Sequence, residues 1–518
     1  MLNVYVLISV LVNIHLGSGA RILGIIPTPS FSHQIVFQQL WRELSLRGHK
    51  VTTMTTDPIK DSTLTNLTEI DLRFSYEIWN ENLYKDIEGS SKNPLGLIKM
   101  GVAKLLNIID KQLEHPPVQE LINDKNAHFD LVIVENLMTT MIAFSERFKC
   151  PFIGINSFDP PYIVYQNLGN PTHPVMYPDS LLPFTYPLSL TERVISVLYT
   201  AFVPLLPLVV GHAEDALVEK HFGKGYPPLS ELSENISMLF VNTDPIFHPV
   251  KSLVPTVIQI GAGSHRSPSK PLPKDLKKIL DNASQGFIYF SLGSNVKSND
   301  LENHTRNVIM ETFRDLPYTV VWKFEDTDLP NKPSNVHIQK WFPQQDVLKH
   351  PNIKLFITQG GLQSTDEAIY DHVPMVGMPF FADQHMNVEK MVSKGMGLSI
   401  NYIDLKKEDF KATILEVITN PKYKNRVIEL AKLAQDQPMT GLERAIWWTE
   451  YVIRHKGAKH LRSPLLDIPW YQYLLLDVIA VLLLSVMAFF FTIYTVLRLL
   501  IRLLRKVVGN FAKKEKIL

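Results

Sequence analysis

The sequence has almost no cysteine. Cys150 is the only one among its 518 residues. A single thiol cannot form an intrachain disulfide, so the fold cannot depend on one even in an oxidising compartment. Its stability must therefore come from hydrophobic cores.

The chain also lacks a dominant sign of charge. Its 52 Lys and Arg residues nearly balance 51 Asp and Glu residues, and the net charge is +1. Residues 498–518 contain seven basic residues and one acidic residue and contribute +6, which leaves −5 on everything before them. No basic field suited to nucleic acid remains there, so nucleic acid is not an expected partner.

Long apolar runs occur at the two ends of the chain. Residues 1–20 are apolar and uncharged and end in small residues, which indicates a signal peptide. Because they lack a basic start, an uncleaved anchor or a buried strand is the alternative. Residues 474–497 are interrupted only by Asp477, which is interpreted as an interfacial residue. A helix over this run would be about 36 Å long and would span a bilayer core of roughly 30 Å.

The residues after the predicted span indicate its orientation. The basic excess in residues 498–518 predicts a cytosolic tail, and hence a type I single-pass protein whose main part is lumenal. Lys514 and Lys516 resemble a dilysine retrieval signal, which favours the membrane of the endoplasmic reticulum. N-x-S/T sequons, which are compatible with this topology, occur at Asn66, Asn235, Asn282 and Asn303.

Between its ends the chain is long enough for two domains. About 450 residues remain, which is too many for one core. Residues 261–273 are rich in Gly, Ser and Pro and lack apolar periodicity, as expected of a linker. Strand and helix patterns alternate on both sides, which predicts an α/β fold with parallel sheets. The sequence has no repeat of about 20–50 residues, so the halves should resemble each other in fold and not in sequence.

The most informative segment begins with an apolar run at residues 354–358, which predicts a buried parallel strand. Gly360 and Gly361 follow and let the backbone approach a ligand closely. Ser364 and Glu367 then have the spacing of a capping box and predict a helix that begins just after Ser364. The free N–H groups and the dipole of such a helix suit phosphate. A glycine turn before a helix is common, however, and Glu367 could be only a cap.

Two further polar residues follow the next predicted strand, residues 374–379. Asp383 and Gln384 should lie at its carboxyl end, beside the predicted phosphate site. A carboxylate and an amide in this place can hydrogen-bond the hydroxyl groups of a sugar. The segment as a whole therefore favours a nucleotide-sugar ligand.

Over residues 356–384 the sequence resembles the signature of the UDP-glycosyltransferases, glycosyltransferase family 1. These enzymes adopt the GT-B fold, in which two Rossmann-like domains face each other across a cleft. The resemblance implies that Trp341 stacks on uracil, that Glu367 accepts both ribose hydroxyls, and that Asp383 with Gln384 holds the donor sugar. The residues implied to bind UDP are Ser291, Gly293, Ser294, Trp341, Gln344, Gln359, Gly360, Gly361, Gln363, Ser364 and Glu367.

The resemblance also implies how the domains are arranged. Residues 21–260 would bind the acceptor, residues 261–280 would be the linker, and residues 281–440 would bind the UDP-sugar. Residues 441–470 would contain a helix that crosses back to the first domain, followed by a stalk. The predicted span and the basic cytosolic tail complete the chain.

A candidate catalytic base lies near the start of the first domain. Residues 22–27 predict a strand, residues 28–32 a loop and residues 34–46 a helix, so His33 should lie in a crevice after the strand. An imidazole with an ordinary pKa near 6.5 can accept a proton from a hydroxyl at neutral pH. His33 corresponds to the family's catalytic base, and Glu135, at the end of a predicted strand, to its supporting aspartate. Alternatively, His33 is a solvated loop residue and Glu135 faces water.

The reaction that the resemblance implies is a single displacement with inversion at the anomeric carbon. The helix dipole and backbone amides would stabilise the charge on the diphosphate, so neither a metal nor another cofactor is expected. Asp326 and Asp328 form a DxD triplet, which binds divalent metal in other glycosyltransferases. Because prolines follow closely, we interpret the triplet as a solvated turn.

The donor and acceptor are less constrained. Gln359 replaces the His of many family members and is familiar from insect and baculoviral members, which favours UDP-glucose over UDP-glucuronate and UDP-galactose. Residues 181–210 are apolar but broken by proline, and could form a lipophilic pocket, rest on the membrane or belong to an ordinary core. We expect a small lipophilic alcohol or phenol as acceptor. A catalytically silent binding protein and a single-span receptor or chaperone-like protein are the alternatives, and formation of a homo-oligomer stays open.

Overall fold

The computed structural model describes residues 19–81, 94–182, 184, 186–261, 263–380 and 383–515. These residues form two compact units, one that ends at Arg462 and one that begins at Ser463. Residues 1–18 of the predicted signal peptide and residues 516–518 of the predicted tail lie outside the described residues.

The larger unit begins with a parallel sheet. Its described strands are β1 (Arg21–Ile26), β2 (Lys50–Thr55), β3 (Leu67–Asp71), β4 (Leu131–Glu135), β5 (Phe152–Asn156), β6 (Met238–Val241) and β7 (Val257–Gln259). They pair in parallel in the order β3-β2-β1-β4-β5-β6-β7. Every residue of β4 is buried, as a strand covered on both faces requires. The strand order reverses between β1 and β4, and such a switch point leaves a crevice at the carboxyl ends of the two strands.

A second parallel sheet follows in the same unit. Its described strands are β8 (Phe287–Ser291), β9 (Thr319–Lys323), β10 (Val336–Gln339), β11 (Ile353–Thr358), β12 (Met375–Gly377) and β13 (Gly397–Ser399). Their order is β10-β9-β8-β11-β12-β13, with all neighbours parallel. The order reverses between β8 and β11, which creates a second crevice at the carboxyl ends of these strands. The predicted α/β fold with two parallel sheets is confirmed.

Helices connect the strands. In the described part of the larger unit they are α1 (Phe31–Leu46), α2 (Ser75–Asn80), α3 (Pro94–Glu114), α4 (Pro116–Asn123), α5 (Ala143–Phe148), α6 (Tyr162–Gln166), α7 (Leu190–Phe202), α8 (Leu206–Phe222), α9 (Leu229–Glu234), α10 (Lys274–Asp281), α11 (Asn303–Arg314), α12 (Gln344–Leu348), α13 (Leu362–Tyr370), α14 (Gln384–Ser393), α15 (Lys407–Thr419), α16 (Pro421–Gln435) and α17 (Gly441–His455). Short 3-10 helices occupy Thr140–Ile142, Val203–Leu205, Ser298–Asp300 and Lys459–Leu461.

The cores follow from strand alternation, because successive residues of a strand point to opposite faces. In β1, Ile22 packs with α1 on one face, whereas Leu23 packs with α3, α4 and α5 on the other. In β8, Tyr289 and Phe290 divide in the same way between two clusters. Each sheet is therefore a central layer between two layers of helices.

Helix α17 covers the first sheet although it follows the second one in the chain. It begins with a capping box, in which the Thr440 hydroxyl accepts from the Glu443 amide and the Glu443 carboxylate accepts from the Thr440 amide. Its buried residues Ala445 and Val452 belong to the same core as Phe37 of α1. The chain thus returns to its first half over Gly441–His455, as the crossing helix was expected to do.

Two segments differ from the sequence-based expectations. The helical pattern of the sequence extends over residues 296–313, but α11 begins only at Asn303. The reason is that the buried Ser298 hydroxyl donates to the Lys323 carbonyl and accepts from the Trp322 indole, which fixes a turn against β9. In addition, the apolar segment at residues 181–210 is not an ordinary core along α7.

Helix α7 exposes its apolar face. Leu190, Val194, Leu198 and Phe202 recur at helical spacing, and each is more than half exposed, between 51% and 69%. In contrast, Ser196 is the residue of this helix that is fully buried. The helix is therefore amphipathic with its apolar side turned outward.

The smaller unit contains a 3-10 helix (Pro464–Asp467), α18 (Trp470–Tyr473) and the long helix α19 (Leu476–Glu515). Within α19, Leu476–Asn510 is long and apolar enough to cross a membrane by its length and composition. The predicted span at residues 474–497 thus lies almost entirely within a helix that continues into the basic tail.

Candidate active site

One cleft collects the ends of both sheets. It has a volume of about 720 Å³, and many of its lining residues lie at or after the carboxyl ends of strands in both sheets. Of the predicted site residues, those that line it are His33, Ser291, Gly293, Ser294, Trp341, Gln344, Gln359, Gly361, Gln363, Ser364, Glu367, Asp383 and Gln384. The residues predicted from distant parts of the sequence are therefore brought to one place.

The crevice between β1 and β4 holds a histidine and a carboxylate. His33 Nδ1 lies 2.5 Å from Oε1 of Glu135, and the other carboxylate oxygen accepts from the Thr28 amide at 3.3 Å. Glu135 is completely buried, whereas His33 lines the cleft. The alternative in which Glu135 faces water is therefore wrong. Because Nδ1 is engaged, the second ring nitrogen of His33 is left for a substrate.

The local structure around His33 also differs from the prediction. Helix α1 begins at Phe31, with Ser30 as its extended N-cap residue, so His33 lies in the first helical turn and not in a loop. The ring of Phe158 packs edge-on against the imidazole, with the ring centres 5.6 Å apart. A residue on a helix with this packing is positioned more rigidly than a solvated loop residue.

The crevice between β8 and β11 has the features of a diphosphate site. Gly293 has a φ of +74°, which disfavours any side chain, and a Cβ there would lie 2.1 Å from Nε2 of Gln359. The turn after β8 therefore approaches Gln359 closely. Gly360 does not line the cleft: its amide donates to the Thr358 hydroxyl, and its carbonyl accepts from Asn387. Both backbone hydrogen-bonding groups of Gly360 are thus already used, which does not support its predicted role as a direct UDP contact.

Helix α13 begins earlier than the capping-box spacing predicted. Its first residue is Leu362, and extended Gly361 is the N-cap. The Ser364 hydroxyl instead accepts from Nε2 of Gln344 at 2.9 Å, and the Glu367 carboxylate accepts from the same amide at 2.7 Å. The predicted capping box is therefore wrong, because both polar side chains turn into the cleft. The first turn of α13 still faces the cleft, as a helix that binds phosphate must.

Glu367 is held as a buried carboxylate. Its Oε1 accepts from Nε2 of Gln345 at 2.9 Å and lies 3.3 Å from Nε2 of His265. Burial alone would raise the pKa of Glu367, but His265 and the amides of Gln344 and Gln345 outweigh it and lower the pKa. Glu367 is therefore ionised at neutral pH, and an ionised carboxylate is acceptor-only, which suits a pair of ribose hydroxyls.

Trp341 stands at the edge of the cleft. Its side chain is 55% exposed, the edge of Phe31 approaches it with 5.2 Å between ring centres, and Lys323 Nζ lies 5.8 Å from its ring centre. An indole that stays this exposed is not a core residue. It offers a flat surface on which a base can stack.

Asp383 and Gln384 begin helix α14. The Asp383 carboxylate accepts from the Asn387 amide at 2.8 Å, and Oε1 of Gln384 accepts from the Phe380 amide at 2.9 Å. Burial raises the pKa of Asp383, although Asn387 and the nearby charge of His33 oppose this shift. The charge of His33, on the first-sheet side of the cleft, therefore affects the pKa of Asp383 on the second-sheet side.

Sequence reasoning missed a charged group on the cleft wall. Asp159 and Lys251 form an ion pair of 2.5 Å, and Lys390 of α14 approaches it from the second half of the chain. Burial lowers the pKa of Lys390, and it lowers the pKa of nearby His248 to about 3. These residues come from three distant segments and match no local motif, so no sequence signal pointed to them.

Gln363, predicted to bind UDP, donates to the Ser157 carbonyl at 2.9 Å.

A metal site is not evident in the part of the chain that the structure describes. Within it, no group of three or more His, Cys, Asp or Glu side chains is arranged to hold an ion. Asp326 and Asp328 of the DxD triplet are both exposed in a turn after β9 and lie outside the residues that line the cleft.

Comparison with known proteins places this site in a family. The family described as "UDP-glucoronosyl and UDP-glucosyl transferase" matches residues 22–514. The chain belongs to this family of UDP-glycosyltransferases. Similar proteins include UDP-glucosyltransferase 2 of Dactylopius coccus, 34% identical over 93% of this chain and 94% of that protein. The ecdysteroid UDP-glucosyltransferase of Spodoptera littoralis nuclear polyhedrosis virus is also 34% identical, over 93% and 98%. UDP-glucuronosyltransferase 2B1 of Rattus norvegicus is 30% identical over 99% of both chains.

Solved structures agree on the fold of this UDP-glycosyltransferase. The calicheamicin glycosyltransferase CalG4 superimposes with a TM-score of 0.57 at 17% identity, covering 84% of this chain and 98% of that one. LpCGTa, solved in complex with UDP, has a TM-score of 0.52 at 14% identity, with 84% and 99% covered. The fold is GT-B, and the enzyme is a UDP-hexosyltransferase that transfers a glycosyl group from a UDP-sugar.

Proposed function

We propose that the transferase moves glucose from UDP-glucose to a hydroxyl of a small lipophilic acceptor, with inversion at the anomeric carbon. His33 acts as the general base, and Glu135 orients it. The observation that carries this proposal is the 2.5 Å contact between His33 and the fully buried Glu135 at the end of β1 and β4. A buried carboxylate on Nδ1 fixes the tautomer and stabilises the imidazolium that forms when the other nitrogen takes a proton.

The chemistry follows from the two sides of the cleft. The acceptor hydroxyl gives its proton to His33 as its oxygen attacks the anomeric carbon, and the bond from that carbon to UDP breaks on the opposite face. The first turn of α13 and the backbone amides of the Ser291–Ser294 turn would stabilise the charge on the departing UDP. UDP-sugar is a co-substrate, and we expect neither a metal nor another cofactor.

The remaining binding roles use the other residues of the cleft. Trp341 would stack on uracil, Glu367 would accept the ribose hydroxyls, and Asp383 with Gln384 would bind the hydroxyls of the hexose. Glucose is favoured by Gln359 and by the names of two relatives that are each 34% identical, both UDP-glucosyltransferases. In this proposal residues 21–260 form the acceptor domain and residues 281–440 the UDP-sugar domain.

The acceptor side of the cleft is apolar. Hydrophobic side chains from the first half of the chain line it, namely Phe31, Ile35, Trp79, Leu105, Leu137, Phe158 and Leu181. Such a wall favours a lipophilic alcohol or phenol over a sugar or a peptide. The apolar outer face of α7 is consistent with an enzyme that works at a lipid surface.

The proposed location is the membrane of the endoplasmic reticulum, with a single type I span and the catalytic part in the lumen. The apolar length of α19 and the basic residues after the predicted span support this arrangement. Protease protection of the catalytic part in sealed microsomes tests it. Digestion without detergent would contradict the lumenal orientation.

The function is tested by turnover in microsomes that express the wild-type chain or His33→Ala. UDP-glucose, UDP-glucuronate and UDP-galactose are each offered with a panel of phenols and lipophilic alcohols. We expect wild-type transfer from UDP-glucose, its loss in His33→Ala, and unchanged UDP binding in both. Asp383→Ala should instead weaken use of the donor.

A matched control is His221→Ala. His221 is also buried and pairs with a carboxylate, with Nε2 2.7 Å from Oδ1 of Asp110, but it lies outside the residues that line the cleft. This variant should keep its turnover. Turnover retained in His33→Ala would contradict the base assignment, and no wild-type transfer despite UDP binding would indicate a catalytically silent binding protein.

A further inference from the structure

A second histidine lies behind the proposed ribose carboxylate. His265 belongs to the segment between the two sheets, and its side chain is completely buried. Its Nε2 lies 3.3 Å from Oε1 of Glu367. Neither ring nitrogen has a hydrogen-bond partner among the described residues, and His265 does not line the cleft. It can therefore act on a ligand only through Glu367.

A buried imidazole without a hydrogen bond is costly and calls for an explanation. In this structure the two carboxylate oxygens of Glu367 accept from Gln344 and Gln345. A carboxylate offers about four acceptor positions, so the 3.3 Å contact with His265 leaves acceptor positions for two ribose hydroxyls.

The two residues that follow His265 hold the linker against α12 and against the end of α13. Oε1 of Gln345 accepts from the amide and the hydroxyl of Ser267, at 3.0 and 3.1 Å. Arg266 donates to both oxygens of Asp371, just after α13, at 3.0 and 2.7 Å. A bidentate pair of this kind fixes orientation as well as distance. These hydrogen bonds therefore fix the linker and hold His265 against Glu367.

We infer that His265 is a positioning residue that holds Glu367 ready for the two ribose hydroxyls, so that the linker itself contributes to recognition of the ribose. The inference rests on the proposed role of Glu367. It predicts that replacing His265 weakens the binding of ligands that carry the ribose diol and hardly changes the binding of ligands that lack it. A residue that only fills the core would weaken both kinds of ligand alike.

The test compares UDP with 2′,3′-dideoxy-UDP, which lacks both ribose hydroxyls, by calorimetry on the full-length chain. His265→Phe should bind UDP about tenfold more weakly, the size expected for the loss of one polar contact to a charged group, with little change for the dideoxy analogue. His265→Gln, which keeps a donor, should recover part of the loss. The donor KM should rise in His265→Phe, and kcat at saturating donor should stay within about twofold.

Three controls make each outcome decisive. Glu367→Gln should abolish the preference for UDP over the analogue; if it does not, the ribose assignment of Glu367 fails. If Glu367→Gln abolishes the preference and both His265 variants keep it, the inference about His265 is overturned and the proposed function stands. His221→Phe, the loss of another buried histidine–carboxylate pair, should change neither Kd.

An equal loss for both ligands in the His265 variants would mark a purely structural role and would also overturn the inference. Thermal unfolding establishes which variants are folded. If His265→Phe is not folded, UDP and the dideoxy analogue are compared on His265→Gln alone.

Discussion

Replacing Glu135 by Gln removes one negative charge from the catalytic pair and changes almost nothing in size. The carboxylate is completely buried, and its oxygen lies 2.5 Å from Nδ1 of His33. Once His33 has taken the acceptor proton, the two charges face each other without intervening water. In the proposed mechanism, Glu135→Gln therefore destabilises the transition state, in which His33 takes up the acceptor proton, more than the ground state.

The size of the effect can be worked out from this geometry. Two charge centres about 4 Å apart attract by about 4 kcal/mol at an effective dielectric constant near 20. At about 1.4 kcal/mol for each factor of ten, kcat should fall by about three orders of magnitude. UDP affinity should stay unchanged, because Glu135 does not line the cleft. It lies on β4 of the first sheet, whereas α13 follows a strand of the second sheet.

The assay is steady-state turnover in microsomes at saturating donor, together with calorimetry of UDP binding. Glu135→Asp keeps the charge but shortens the side chain by one methylene, so its kcat should lie between those of the wild type and Glu135→Gln. Glu214→Gln is the matched control, because Glu214 is another buried glutamate of the first half and accepts from the Thr139 and Thr140 amides outside the cleft. A kcat within about tenfold of the wild type in Glu135→Gln, or a parallel loss of UDP affinity, would refute the reasoning.

Three further predictions concern the donor side. Trp341→Ala should weaken UDP binding by about 1–3 kcal/mol through loss of stacking, and calorimetry should show a smaller loss for a diphosphate without a base. Gly293→Ala should raise the donor KM, because a Cβ at this positive φ would displace the Gln359 amide, whereas kcat in the same steady-state assay should fall less. The donor KM should rise as the pH falls, beginning above the usual range of an aspartate. Burial raises the pKa of Asp383, and only the ionised carboxylate accepts from sugar hydroxyls through both oxygens. Asp383→Asn should flatten this pH dependence, and a profile identical to that of the wild type would contradict the assignment.

The central strands were the easiest elements to predict from the sequence. The predicted strand at residues 354–358 agrees with β11 (Ile353–Thr358) to within one residue. Parallel strands buried on both faces need continuous apolar runs, and those runs end sharply where the backbone reaches the cleft. For the same reason the sequence could place Glu135 and Gln359 at strand ends. The switch points then bring Gln359 to the cleft and Glu135 against His33, which lines it.

Helix starts and long-range contacts were harder to predict. The spacing of Ser364 and Glu367 fits a capping box, but these side chains are hydrogen-bonded to Gln344 instead. The pattern cannot distinguish an oxygen used by its own helix from one used by the cleft. His265 gave no signal, because it belongs to no motif and its neighbour Glu367 is about a hundred residues away in the sequence.

The crossing of α17 onto the first sheet has a consequence for how the protein is made. The start of this helix is pressed against the end of β7, where a Cβ on Gly441 would lie 2.1 Å from the Ile260 carbonyl, and Arg444 donates to the Gln259 carbonyl. On a ribosome, the groove beside α1 therefore stays uncovered until residue 455 has emerged, roughly 20–80 s after α1 itself. An apolar groove exposed for so long is a natural target for chaperones. A fragment that stops before Gly441 should aggregate, even though it contains all the described strands of both sheets.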